Sequence, residues 1–180
     1  MDTTAISTNC LHRQTITTPL GPMLAIADDQ QLLLLEFTTR KDLDGQLDTL
    51  RRLDSRSVVD ESNLILQLAQ TELDSYFSGT LCEFSVPLRI KGSPFRESVW
   101  HELTRIPYGK TVSYQELGQR IAAPHACRAI GSANGHNRIA IMIPCHRVIR
   151  ADGSTGGYAG GTNHKKWLLR HEACFKPNLS

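Results

Sequence analysis

The segment QTITTPLGPMLAIADDQQLLLLEF, residues 14–37, restricts the fold more than any other stretch of the chain. Short runs of β-formers are broken twice by turn chemistry, at 19–22 and at 28–31, a pattern that predicts a β-meander. Two helical patterns follow. Leu43, Leu47, Leu50 and Leu53 recur at helical spacing over residues 41–53, and Leu64, Leu68, Leu73 and Phe77 do so over 63–77 before Gly79 ends the run. These leucine stripes read as core. Residues 87–92, broken by Pro87 and Gly92, read as a linker, so residues 1–90 are expected to form a small α+β accessory domain.

The second half, 91–180, opens with SPFRESVWHELTRI. Ser93 is a natural N-cap, Pro94 occupies the first helical position, and Phe95, Val99, Trp100, Leu103 and Ile106 share one face, which predicts a helix over 94–106. Pro107, Tyr108 and Gly109 stop it. Ser113 and Glu116 form a capping box that opens a helix in SYQELGQRI. A further helix is predicted over 124–134, with Ala126, Ala129, Ile130 and Ala133 small enough for close packing and Gly135 ending it. Two short helices joined by a tight turn fit a helix-turn-helix whose second member presents Arg128 outward.

Charge separates the same halves. Residues 1–90 carry 7 basic and 13 acidic side chains, whereas 91–180 carry 13 basic and 5 acidic, so a formal net charge of +2 conceals a basic half suited to a polyanion. No apolar run approaches the roughly 20 residues of a membrane span; the longest are 32–35 and 139–144. The opening MDTTAISTNC lacks a basic start and an apolar segment, so a cytoplasmic protein is expected. The five cysteines, Cys10, Cys82, Cys127, Cys145 and Cys174, are odd in number and contain no CxxC pair, which favours free thiols over a disulfide framework. Four of them are expected to be buried structural thiols, with Cys10 in a polar tail.

Cys145 stands apart. In IMIPCHRV it lies between Pro144 and His146 at the end of what reads as an apolar strand, with His146, Arg147 and Arg150 close in sequence. Such positive neighbours are expected to lower a thiol pKa toward the reactive thiolate. A Cys–His pair admits hydrolysis through an acyl-enzyme or direct alkyl transfer to sulfur. The tract 153–161 is rich in glycine but lacks the Lys-Ser/Thr of a P-loop, and it reads as a mobile pocket wall with Tyr158 as its bulky tooth.

The run IPCHRVI with GGYAGG and WLLRHE, preceded by FRESVWHELTRIPYGKTVSYQELG and ACRAIGSANGHN, closely resembles the O6-alkylguanine-DNA alkyltransferases, also called methylated-DNA–protein-cysteine methyltransferases. The resemblance covers residues 93–174; TPLGPMLAIAD and the long second helix resemble the family's smaller domain more loosely. It implies an α+β fold: a small β-meander/helix domain followed by a helical domain carrying a winged-helix-like helix-turn-helix. By resemblance, Cys145 accepts the alkyl group from O6 of a damaged guanine, His146 activates the thiol through a water, and Glu172 orients the histidine. Asn137 ties the helix-turn-helix to the active-site turn, and Tyr114 lies near O6. Arg128 enters the duplex in place of the extruded base, with Ala126, Ala129, Gly131, Ser113 and Gln115 on the DNA-facing elements. Val148, through its carbonyl, and Tyr158, Ala159 and Gly160 border the guanine pocket. Lys165, Lys166, Arg147 and Arg150 are expected to meet phosphate or thiolate.

The resemblance implies double-stranded DNA, approached through the minor groove, as the partner of a monomer that needs no cofactor, with one turnover per molecule. Some relatives bind zinc in the small domain, but residues 1–90 offer only Cys10, Cys82 and His12, so no metal is expected. Asn134 and Ala159 depart from some relatives and bear on which adducts fit. His101, His125, His136, His164 and His171 are expected at the surface or in capping roles. Two other readings stay open: a DNA-binding sensor of alkylation, against which the cysteine itself argues because a non-catalytic relative carries tryptophan there, and a cysteine hydrolase.

Overall fold

A computed structural model describes residues 10–175 of the chain; of the opening segment MDTTAISTNC, residues 1–9 lie outside the described residues. The predicted meander is present as β1 (Cys10–Thr18), β2 (Gly21–Ala27) and β3 (Leu32–Phe37), paired antiparallel in sequence order. Gly21, at φ +106°, turns the first hairpin in a conformation that other residues rarely adopt. Asp28 Oδ1 closes the second by accepting from the Gln30 and Gln31 amides at 2.9 and 2.8 Å. The helix α1 (Leu43–Leu53) covers one face of the sheet, where Leu50 packs with Leu11, Ile26, Leu33 and Leu34. A short strand the sequence did not announce, β4 (Ser57–Val59), then joins β1 in parallel, giving the order β3-β2-β1-β4. The helix α2 (Leu64–Phe77), capped by Asn63, lies on the other face.

In the helical half, α3 (Pro94–Thr104) starts at the predicted Ser93 cap and ends two residues early, where Ile106 closes a tighter turn onto the Leu103 carbonyl. Strand β5 (Val112–Ser113) leads into α4 (Tyr114–Arg120) through the predicted capping box: Ser113 N–H donates to Glu116 at 2.6 Å, and Glu116 N–H to Ser113 Oγ at 3.1 Å. The next helix, α5 (Cys127–Gly135), begins three residues later than expected because Ala122 turns the chain at φ +56° and Ala123 N–H bonds Gly118 O. A Cβ on Gly118 would lie 2.8 Å from that Ala123 carbonyl oxygen, so this turn requires glycine. A single 3₁₀ turn, Cys145–Arg147, is followed by β6 (Val148–Ile149), parallel to β5, and by α6 (Thr162–Cys174).

The apolar run 139–143 is not the strand its composition suggested. It is a set of buried turns, with Ile141 at φ +71°, and only Ile139 makes a bridge, to Leu35. That bridge is one of two that cover the outer edge of β3. Leu32 exchanges backbone hydrogen bonds with Pro87 and Arg89 at 2.8 and 2.9 Å, and Leu35 with Arg138 and Ala140 at 2.8 and 2.7 Å. The expected linker is therefore pinned to the sheet, and an edge that would otherwise invite another strand is closed by the chain itself. One apolar cluster runs through both halves, from Ile16 and Leu73 to Leu117 and Leu168.

Arg40 fastens this junction. Its guanidinium donates to Glu36 Oε2 at 2.6 Å, to Asn137 O at 3.1 Å and to Gly135 O at 2.6 Å. Burial raises the Glu36 carboxyl, and the Arg40 charge opposes that shift. Arg40→Met would leave a buried carboxylate and two carbonyls without their donor, and a loss of about 3–5 kcal/mol is expected in urea unfolding. Adding Glu36→Gln should recover part of it. A single variant within about 0.5 kcal/mol of wild type would show that the pair does not hold the halves together.

Candidate active site

The 3₁₀ turn places Cys145 in the interior, 6% exposed, beneath the C-terminal end of α5. Asn137, two residues past that helix, is 2% exposed and spends both ends of its amide here. Its Oδ1 accepts from Ile139 N–H at 3.0 Å, while its Nδ2 donates to Ile143 O at 2.9 Å and to the Cys145 sulfur at 3.2 Å. One side chain thus fixes both the turn before Cys145 and the sulfur itself.

The thiol environment differs from the sequence expectation. Burial pushes the Cys145 thiol up to about 11, with the Asn137 hydrogen bond pulling the other way. Its cationic sequence neighbours point elsewhere. Arg147 is itself buried and directed at Glu172, with Nε to Oε2 at 2.9 Å, while its Nη1 donates to Ile106 O at 2.6 Å. Arg150 is exposed. Cys145 is a protonated thiol at rest and needs a base when it reacts.

His146 can be that base. It is fully buried, and its Nε2–H donates to Glu172 Oε1 at 2.7 Å, which leaves Nδ1 as the unprotonated nitrogen; Nδ1 has no hydrogen-bond partner among the described residues. Burial lowers the His146 pKa while Glu172 opposes the shift, so the ring is neutral near neutral pH. Glu172, from the last turns of α6, is 1% exposed yet held well below the usual carboxylate range: burial acts against ionisation, but His146 and Arg147 outweigh it. Two further donors converge on it, Tyr76 Oη at 2.8 Å and Gly109 N–H at 3.1 Å.

A pocket of about 290 Å³ opens on the sulfur, lined by Tyr114, Gly131, Asn134, Gly135, Cys145, Gly157, Tyr158 and Ala159. Of the residues expected around a guanine, Tyr114, Tyr158 and Ala159 line it; Gly131, expected on a DNA-facing element, lines it as well. Gly160 does not: it is buried where a Cβ would strike Phe37 and Tyr158. Nor does Val148, whose carbonyl accepts Lys165 Nζ at 2.6 Å. Lys165 is fully buried, reaches Gly157 O at 3.3 Å as well, and burial brings its pKa down to about 8. It ties the glycine tract to β6, and neither it nor Arg147 is placed to meet phosphate. Burial, and then the nearby sulfur, raise Tyr114, so its phenol is a proton donor at neutral pH.

On the outside of the helix pair, Arg128 and Ala129 are exposed in α5 and Gln115 in α4, while Ala126 is half-buried. Ala133 belongs to the core and accepts the Trp100 indole N–H at 2.9 Å, so it is not part of that face. Ser113 is engaged in its cap. The cysteines reverse their expected distribution: Cys145 is the buried one, Cys10 and Cys82 are half-buried, and Cys127 and Cys174 are exposed. Cys10 belongs to β1 and not to a tail. His171 is also not at the surface, because its Nε2 bonds Tyr76 O at 2.7 Å inside the core. His164 packs its ring on Phe37 with centroids 4.4 Å apart. Among the described residues no three His, Cys, Asp or Glu side chains are grouped to hold a metal, and no helix is long and apolar enough to cross a membrane. Sequence reasoning missed Tyr76, Arg40 and the true partner of Arg147, none of which carries a local signal.

Two family models match the chain. The ribonuclease-like domain of 6-O-methylguanine DNA methyltransferase matches residues 11–90, and the DNA binding domain of the same family matches residues 94–174. The chain is 41% identical over 170 residues to a methylated-DNA–protein-cysteine methyltransferase of Mycobacterium tuberculosis, covering 93% of this chain and 95% of the other. It is 38% identical over 162 residues to one of Methanosarcina barkeri, covering 90% and 97%. Among solved structures, the Mycobacterium tuberculosis OGT in complex with DNA superposes with a TM-score of 0.79 at 38% identity, over 93% of this chain and 96% of that one. Since the likeness spans the sheet-bearing half as well as the helical half, the chain belongs to the 6-O-methylguanine DNA methyltransferase family.

Proposed function

We propose that Cys145 is the acceptor in a DNA repair reaction, taking the alkyl group from O6 of an alkylated guanine that has been rotated out of the duplex into the 290 Å³ pocket. The single observation that carries this reading is the junction of that pocket with a buried thiol whose own turn holds a neutral His146 bonded to the Glu172 carboxylate of α6. Family membership supports the activity, and the DNA complex of the Mycobacterium tuberculosis protein supports DNA as partner. In the reaction, His146 Nδ1 takes the thiol proton through a water. The sulfur lone pair then forms the S–C bond, and the C–O6 bonding pair stays with the guanine. Tyr114 supplies a proton to the leaving base and is reprotonated from solvent. Glu172 holds the imidazole in its useful tautomer and stabilises the imidazolium, the role of the acid in a Ser-His-Asp triad.

The thioether is stable and no second thiol adjoins Cys145, so each molecule acts once. Arg128, in the first turn of α5, fills the space left by the extruded base, with Ala129, Gln115 and the half-buried Ala126 around it. The exposed cations Arg120, Arg150 and Lys166 are suited to phosphate. The split at residue 90 is functional under this reading: the basic half carries the chemistry and the DNA face, and the acidic half turns away from DNA.

Incubation with duplex carrying radiolabelled O6-methylguanine should transfer label to protein once per molecule. Cys145→Ala should lose transfer and keep DNA binding; repeated turnover would favour a hydrolase, and transfer by the variant would remove Cys145 from its role. The pH profile follows from the two shifts. His146 titrates below its ordinary 6.5, so its basic form is present above that pH and is lost as pH falls through the lowered value. The thiol at about 11 adds no rising limb near neutrality. The transfer rate is therefore expected to be flat from about pH 7 to 9 and to fall on acidification; a rate climbing across that range with thiolate absorbance would show a thiol that titrates near its ordinary value and reacts without a base. Arg128→Ala should slow repair of duplex by on the order of ten- to a hundredfold, because extrusion costs a few kcal/mol. Attack on free O6-benzylguanine should stay within about twofold, and equal losses on both substrates would exclude a role in extrusion.

A further inference from the structure

We propose that Tyr76 is a positioning residue for alkyl transfer, the group through which the sheet-bearing half completes the Glu172–His146 relay; this rests on His146 acting as the base. Tyr76 lies near the end of α2 and is fully buried. Its hydroxyl donates at 2.8 Å to Glu172 Oε1, the same oxygen that His146 Nε2–H reaches at 2.7 Å. Its backbone carbonyl accepts the ring N–H of His171 at 2.7 Å, so two successive residues of α6 are held by one residue from the other half. The Tyr76 ring is boxed in by Phe77, Phe84 and Tyr108 at centroid distances of 5.3, 5.4 and 5.9 Å, which fixes where the hydroxyl points.

Packing does not explain that hydroxyl. Phenylalanine would fill the same space without burying a polar group, and burying one is unfavourable unless it is bonded. Burial, and then Glu172, raise the Tyr76 phenol well above its ordinary value, so it remains a donor throughout the accessible pH range. A donor on Oε1 draws negative charge from the oxygen that faces His146 and keeps the carboxylate from turning. The remaining groups facing the pair are Arg147 from the 3₁₀ turn, Lys165 from α6, Tyr108 and the Gly109 amide beyond α3, and Cys82 beyond α2. All stay in place when the hydroxyl alone is removed. Without it Oε1 attracts the imidazolium more strongly, so the His146 pKa rises and the ring is less firmly aimed.

The test is Tyr76→Phe in the full chain, with Leu66→Val, a fully buried position of α2 ten residues away, as a packing control. Single-turnover transfer is followed against pH, and the His146 ring is titrated by NMR without substrate. For Tyr76→Phe, the acid limb and the ring titration should both move up by about half to one pH unit. The plateau rate should fall on the order of tenfold, the effect of losing one hydrogen bond that aims the base, with a modest loss of thermal stability from the missing donor and DNA affinity close to wild type. Leu66→Val should lower stability and leave the acid limb in place. An unmoved ring titration in Tyr76→Phe, or a rate loss that only tracks stability as in the control, overturns the proposal. A wild type without an acid limb would instead count against His146 as base, and the substrate-free titration would still decide whether Tyr76 tunes it.

Discussion

A carboxylate taken out of water must be surrounded by donors, and Glu172 is the point at which this fold meets that requirement. Its two oxygens receive His146, Tyr76, the Arg147 guanidinium and the Gly109 amide. These come from the 3₁₀ turn, α2 and the loop after α3, and α6 supplies the acid. A buried anion with fewer partners would protonate. With this set it stays charged and can hold one tautomer of His146. The position of the His146 ring is therefore a by-product of satisfying a buried charge, and any movement of these elements is resisted by the cost of exposing or stranding that charge.

The other side of the nucleophile is fixed by β3. Its free edge accepts residues 87–89 and 138–140, and Arg40 reaches from just beyond it to the carbonyls of Gly135 and Asn137. Asn137 in turn holds Ile139, Ile143 and the sulfur. A continuous set of hydrogen bonds thus runs from the meander to the reactive atom. The acidic half is a scaffold for the site in a specific sense: its edge strand sets the height of the turn that carries Cys145, and its second helix supplies a donor to Glu172.

Local rules were legible and tertiary partners were not. Ser93 with Pro94, the Ser113–Glu116 box and the two hairpin turns are signals written within four residues, and each appears where it was read. Strand β4 is three residues whose only reason to be extended is β1 beside it, more than forty positions away. The run 139–143 is apolar because it is buried on all sides, and burial of that kind has no period to separate strand from turn. The thiol setting was misread because neighbours in sequence were taken for neighbours in space. In a 3₁₀ turn successive side chains diverge by about 120°, which sends Arg147 to Glu172 and leaves the sulfur with Asn137. Tyr76 sits 96 residues from its partner, inside a stripe that reads as core.

The corrected thiol changes what the site must do. At a pKa of about 11 roughly one molecule in ten thousand is ionised at neutral pH, so the resting cysteine is shielded from oxidants and stray electrophiles that consume thiolates. Under the proposed function Cys145 is used only once, so adventitious modification is as final as repair. A depressed pKa would raise reactivity toward every electrophile alike. With His146 as the proposed base, a buried thiol confines activation to the moment when a substrate fills the pocket and the proton can leave through that ring. Selectivity then comes from the pocket and the relay together, and the rate toward the right substrate depends on how well Glu172 and its donors hold one imidazole in place.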